Sequence, residues 1–247
     1  MIRYAVVAVI FMVSGCRQVN TKPSQKIENA SQFNAFSAEK DDKNKAAVVY
    51  ISKNKGTNWQ PFSDGIPDEA TVSCFIEKGN KIYAATEYHG VFINDGAKTW
   101  YSANNKLPKD IKIKALEYAN DTLVLGSSNY GIWLSPDEGK TWQPTINEWI
   151  KTPVRCLFYH QNRLFSGTDN GIFVSFDNGL SWKKNFTTVQ VNGFVAFQNN
   201  LYAGLANGAV MSNNSGATWR YIYTPNTLHD ISHDAESVYA LTLGEGL

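Results

Sequence analysis

Five segments that end in tryptophan and recur about every forty residues constrain this chain more than any other feature. ISKNKGTNW, INDGAKTW, LSPDEGKTW, VSFDNGLSW and MSNNSGATW close at Trp59, Trp100, Trp142, Trp182 and Trp219, spaced 41, 42, 40 and 37 residues apart. A fixed period of this length marks units that bury their apolar faces only against their neighbours. Each segment carries an Asp or Asn (Asn54, Asp95, Asp137, Asp177, Asn214) with a glycine close behind it. Such a side chain can accept bonds from N–H groups of its own turn, and glycine permits positive φ, so the segment folds tightly. The tryptophan then buries its ring in a sheet. The second segment lacks one residue between Asn94 and Asp95.

Upstream of the turns, IYAATEYHGVF, LVLGSSNYGIW, LFSGTDNGIF and LYAGLANGAV each read as strand, polar turn, glycine, strand; VSCFIE, IKALEY, VRCLFY and VNGFVA add a strand before them. With the strand after each tryptophan, a unit has four strands, here A to D from first to last. A four-stranded sheet of about forty residues, repeated, is the pattern of a β-propeller blade. The tryptophan segments resemble the Asp-box, S-x-D-x-G-x-T-W, of the BNR-type repeats in sialidases, sortilin-type receptors, xyloglucan-cleaving glycosidases and photosystem II assembly factors. The third and fourth copies, around Asp137 and Asp177, are nearly complete. The resemblance implies an all-β propeller in which the box is a structural turn away from any active site. The last residues, LHDISHDAESVYALTLGEGL, supply strands A and B, and AAVVYISKNKGTNWQPF supplies C and D. The expectation is five blades over 46–247, closed by pairing of N- and C-terminal strands, which would remove two exposed edges. A six- or seven-bladed ring cut short is the alternative.

The N-terminus reads differently. Arg3 precedes an apolar run from Ala5 to Val13, too short to cross a bilayer but of signal-peptide length. Val13-Ser14-Gly15-Cys16 resembles the bacterial lipobox, which implies a signal peptide over 1–15 and lipidation of Cys16. Residues 16–45 are rich in Asn, Ser, Gln and Lys and poor in large apolar groups, the composition of a flexible tether spanning about 30 Å. The expected location is the bacterial cell envelope. A net charge of +1 gives no electrostatic case for nucleic acid.

Aligning the inner strands produces columns. Val72, Ile113, Val154, Val191 and Leu228 are apolar, as are Phe75, Leu116, Leu157, Phe194 and Ile231. Cys74, Ala115, Cys156, Gly193 and Asp230 are mostly small, so the two cysteines are expected as buried thiols rather than a disulfide. One column, Ser73, Lys114, Arg155, Asn192 and His229, is polar and differs in every blade. Propeller topology puts it at a channel mouth, with Tyr88, Tyr130 and Trp149 on the same face. Polar, cationic and aromatic groups around a concavity suit a protein, peptide or glycan. The reading is a monomeric, non-catalytic binding or assembly module. No cofactor or metal is expected, because His229 and His233 on a strand lie about 13 Å apart. Sialidase chemistry needs three converging arginines, and Arg163 and Arg220 fall elsewhere in the repeat from Arg155. The enzyme alternative is a glycoside hydrolase acting through a carboxylate pair, with Asp230, Glu117 and Glu148 as candidates.

Overall fold

The computed structural model describes residues 48–146, 152–223 and 226–242. The expected signal peptide over 1–15, Cys16, the expected tether over 16–45, Glu148, Trp149 and the residues after Thr242 lie outside the described residues. Within the described residues there are strands and turns only. β1 (Tyr50–Ile51) pairs with β2 (Gln60–Pro61). Four antiparallel four-stranded sheets follow, each in simple chain order. Blade one is β3 (Thr71–Lys78), β4 (Lys81–Glu87), β5 (Gly90–Asn94) and β6 (Tyr101–Ser102). Blade two is β7 (Ile113–Ala119), β8 (Thr122–Ser127), β9 (Ile132–Ser135) and β10 (Gln143–Pro144). Blade three is β11 (Val154–His160), β12 (Arg163–Thr168), β13 (Gly171–Ser175) and β14 (Lys183–Phe186). Blade four is β15 (Val191–Phe197), β16 (Asn200–Leu205), β17 (Gly208–Ser212) and β18 (Arg220–Tyr223). β19 (Leu228–His233) and β20 (Val238–Thr242) form a final pair.

The inner strands β3, β7, β11, β15 and β19 pack side by side in that order, so the blades fan around an axis as in a propeller. The four complete blades match the repeat, and the two terminal pairs are strands C–D and A–B of a fifth. Among the described residues these two pairs form separate sheets. Close approach of the blades explains the small residues of strand B: a Cβ on Gly126 would stand 2.4 Å from Val154 Cγ1 of the next blade. One on Gly167 would stand 2.9 Å from Val191 Cγ1.

The boxes fold through one shared network. Ser135 Oγ donates to Asp137 Oδ1 (2.8 Å) and accepts from Gly139 N (2.7 Å), while Asp137 accepts from the backbone and hydroxyl of Thr141. Ser175, Asp177, Gly179 and Ser181 repeat this. Asn54 and Asn214 replace the carboxylate with an amide oxygen that accepts the same backbone bond, from Asn58 and Thr218. The second box corrects the sequence alignment. There Asn94, not Asp95, organises the turn, accepting from Gly96 N and donating to Ala97 O, and Asp95 is exposed. With one residue fewer, a single side chain at the serine position spans the shortened loop.

Burial pushes the Asp137 and Asp177 carboxyls up, but the bonds they accept from Thr141, Ser135, Ser181 and Ser175 outweigh it and hold both below the ordinary carboxylate range. Trp100, Trp142, Trp182 and Trp219 are buried, and Trp59 is half-buried. Burying a ring of this size removes roughly 200 Å² from water, about 5 kcal/mol per residue before entropy. Three indoles also bind the preceding blade. Trp100 Nε1 donates to Phe62 O (2.7 Å), Trp142 Nε1 to Ala103 O (2.7 Å) and Trp219 Nε1 to Asn185 Oδ1 (2.6 Å). Each acceptor belongs to the residue three places after the previous tryptophan. Trp182 departs from the pattern and donates to Gly179 O in its own turn. Thr145, at the expected acceptor position, sends its hydroxyl to the carbonyls of Gly179 and Leu180 instead.

Candidate functional site

Each inner strand carries one β-bulge, and the five bulges fall at the same place. The register of strand A against strand B shifts between Val72 and Cys74, Ile113 and Ala115, Val154 and Cys156, Val191 and Gly193, and Leu228 and Asp230. The extra residues are Ser73, Lys114, Arg155, Asn192 and His229, the variable polar column. A bulged residue stands outside the pairing of the ladder and re-aims its side chain. Two apolar residues in succession after the bulge, Cys74-Phe75 or Cys156-Leu157, mark the break in alternation.

The five side chains do two different jobs. Ser73 Oγ donates to Ile113 O of the next blade (2.8 Å), and Asn192 Nδ2 donates to Leu228 O of the next strand. Both residues are buried. Asn192, expected at the solvated mouth, is thus an inter-blade tie, with its oxygen accepting from Gln190 Nε2 (2.7 Å). A short polar side chain at the bulge reaches the neighbouring carbonyl, whereas a long cationic one swings outward. Lys114 Nζ pairs with Glu87, and Arg155 Nε pairs with Asp169, at the polar turns between strands B and C. His229 is half-buried on β19.

The sector between blades one and two is the most built. Glu87 and Lys112 form an isolated antiparallel bridge, and Tyr88 N donates to Ile111 O (3.1 Å). Asn129 accepts from Lys112 N and donates to Asp110 O (both 2.9 Å). This ladder fixes Lys112, whose Nζ sits 3.8 Å from Glu87 Oε2 and 5.5 Å from the Tyr88 ring centre. Its ammonium is held above the usual lysine range, first by the Tyr88 hydroxyl and then by the Glu87 charge. Tyr88 is 51% exposed on left-handed backbone (φ 71°), a conformation that a bulky residue adopts at a cost. Tyr130, 42% exposed, donates to Asp110 Oδ1 at 2.8 Å, and that bond raises its phenol above the usual range.

The structure brings Lys114, Tyr88 and Tyr130 into one sector and Arg155 into the next; Trp149 lies outside the described residues. Lys112, Glu87 and Asp169 complete the arrangement. Sequence reading missed Glu87 and Lys112, which the apolar columns do not contain, although the turn positions were visible. On the enzyme alternative, Asp230 is half-buried, and burial pushes its carboxyl up despite the bond from Ile231 N. Glu117 accepts from the backbone of Tyr118 and of Tyr159. His229 and His233 both lie on β19, as a strand, and no cluster of three metal-ligating side chains occurs among the described residues. Arg163 reaches the carbonyl of Ser215 and Arg220 lies on outer strand β18, apart from the Arg155–Asp169 pair.

No family model matches this sequence, and no curated protein matches it. Solved structures do, and they are propellers. One is the extracellular domain of a hybrid two-component system of B. thetaiotaomicron, 16% identical, TM-score 0.67, covering 82% of this chain and 30% of its own. A second is an ancestral GH74 enzyme, 16% identical, TM-score 0.62, covering 79% of this chain and 32% of its own. A third is YCF48 bound to a D1 peptide, 15% identical, TM-score 0.60, covering 78% of this chain and 68% of its own. The chain therefore spans about a third of the first two. At these identities the likeness establishes the propeller fold.

Proposed function

We propose that this chain is an exported, lipid-anchored, non-catalytic binding or assembly module that takes a protein, peptide or glycan on the bulged face of its propeller. One observation carries the reading: five inner strands each insert an extra residue at the same place, and its chemistry changes from blade to blade. Where that residue is long, it is held beside an acidic partner, Lys114 with Glu87 and Arg155 with Asp169. The Lys114–Glu87 pair in the sector of exposed Tyr88 and Tyr130, with Arg155–Asp169 in the next, offers a ligand both signs of charge and two aromatic faces. The backbone cost at Tyr88 fits a residue kept for contact rather than stability. Cys16, after the apolar run and Val13-Ser14-Gly15, is the proposed anchor, and the polar tether holds the domain clear of the lipid.

A peptide is the first probe to try, since YCF48, of the same fold, is bound to one. The test substitutes Lys114, Arg155 and His229 by Ala together and compares crosslinked partners on intact cells. Loss of capture with an unchanged melting curve is expected. Equal capture by the variant moves the site off this face. Cys16→Ala is expected to release the protein from the membrane fraction, and a fully soluble wild type ends the anchor reading. The glycosidase reading draws on Asp230 and its raised carboxyl, which suits a general acid. Hydrolysis of a glycan that Asp230→Asn abolishes would replace the binding reading.

A further inference from the structure

Blade one and the third box, which belongs to blade two, enclose a cleft of about 170 Å³. It lies at the Lys81 end of β4, whereas Glu87 and the bulged face lie at the other end of the same strand. Its buried floor is Ile93, Ala103 and Gly139. Around them stand Tyr101, Ser102 and Asn105 on one side and Lys81, Glu138 and Lys140 on the other, all but Lys81 exposed.

The cleft exists because the residue three places after Trp100 is small. At that place blade two has Thr145, whose hydroxyl reaches the Gly179 and Leu180 carbonyls of the next box, and blade three has Asn185, which accepts from Trp219 Nε1. Ala103 leaves the space open, while its backbone is fixed by Val91 O at 2.8 Å and by the Trp142 indole. The charges are also particular to this junction. Lys81 Nζ lies 2.6 Å from Glu138 Oε2, where the corresponding positions hold Thr122 and Asn178, then Arg163 and Ser215. Glu138 sits on left-handed backbone (φ 60°), which Asn178 at the same place of the fourth box tolerates better.

Tyr83, Ile93 and Tyr101 stand opposite one another on β4, β5 and β6, with Lys81 on the same face of β4. The buried hydroxyls of Tyr83 and Tyr118 lie near each other, and neither completes a hydrogen bond among the described residues. Blade three has Phe165 at the Tyr83 position, which needs no partner. Lys81 is held above the usual lysine range first by its bond to Glu138 and then, against the pull of burial, by nearby Tyr83. An unanswered polar group therefore stands in the row of side chains that lines the cleft.

We propose that this cleft binds one neutral pyranose ring of a glycan. An anion would face Glu138, and a cation would face Lys81 and Lys140. A wholly apolar ligand would strip water from the charged rim without replacing it. A pyranose offers one face of C–H groups to Tyr101, Ile93 and Ala103. Its girdle of hydroxyls can donate to Glu138 and Asn105 and accept from Lys81, Lys140 and Ser102. The volume suits a single ring rather than a drug-sized ligand. This site is separate from the bulged face and does not depend on the reading given for it.

The test is saturation-transfer NMR on the full-length chain with methyl glycosides of glucose, galactose and mannose, and with glucosamine and glucuronic acid glycosides as charged counterparts. At least one neutral glycoside is expected to bind with a Kd of about millimolar, the range open to so small a ligand. Tyr101→Ala and Asn105→Ala, at exposed positions, are each expected to weaken it by about tenfold or more with the melting curve unchanged. Joint replacement of Lys114, Arg155 and His229 by Ala is expected to leave it intact. No binding of any neutral glycoside, undiminished binding in Tyr101→Ala or Asn105→Ala, loss in the triple variant, or tighter binding of a charged counterpart each overturns the proposal.

Discussion

Replacing Trp142 by Phe separates the two things this residue does. The ring is 1% exposed, and its N–H bridges 39 residues to the Ala103 carbonyl at 2.7 Å. Phenylalanine keeps most of the apolar packing but strands a carbonyl on a buried residue, a cost of about 1–3 kcal/mol. Alanine loses ring and bond together, about 3–5 kcal/mol. A domain of this size shifts by roughly 2–4 °C per kcal/mol, so Trp142→Phe is expected to lower the melting temperature by about 2–12 °C and Trp142→Ala by about 6–20 °C. Urea denaturation of the same proteins, with unchanged slope, supplies the free energies directly. A Trp142→Phe protein that melts within about 1 °C of wild type would refute the inter-blade bond as a source of stability.

Acid should weaken the third and fourth boxes. Their aspartates have depressed folded pKa values, so the stability they add is complete above the unfolded value of about 3.9 and is lost as pH falls through the folded one. Asp137→Asn with Asp177→Asn should therefore flatten the fall in melting temperature between about pH 5 and pH 2, and a curve parallel to wild type would count against it. Asn192→Ala, which leaves the Leu228 carbonyl without its tie, is expected to cost about 1–3 kcal/mol in urea unfolding, against less than about 0.5 kcal/mol for Lys114→Ala at a partly exposed ion pair. Equal costs would mean that the two bulge positions are not used differently.

Strand order, blade boundaries and box turns were legible because one pattern is written five times and each copy checks the others. The split within the variable column was not. Ser73 and Asn192 look as polar as Lys114 in a sequence, and only reach decides which of them turns inward to the neighbouring carbonyl. Asp95 misled because a box signature counts carboxylates, while the shortened loop needs an oxygen at the serine position, which Asn94 supplies. Glu87 and Lys112 stayed hidden because their partnership bridges the end of β4 to the residue just before β7, between two blades, where the repeat carries no periodic signal.

The bulges have a consequence for how such a molecule can change. In an unbroken strand every side chain belongs to one of two faces, and any replacement is judged by the core or by the sheet partner. An inserted residue answers to neither, only to what its own side chain reaches, so where that reach ends outside the core its identity can be exchanged without renegotiating the packing around it. Positions 114 and 155, whose partners are carboxylates at the polar turns, and half-buried 229 are therefore the sockets where exchange spares the core, while 73 and 192 are spoken for by the buried carbonyls they bind. New specificities in this scaffold, whether arising by drift or by a directed library, should accumulate at those three sockets first.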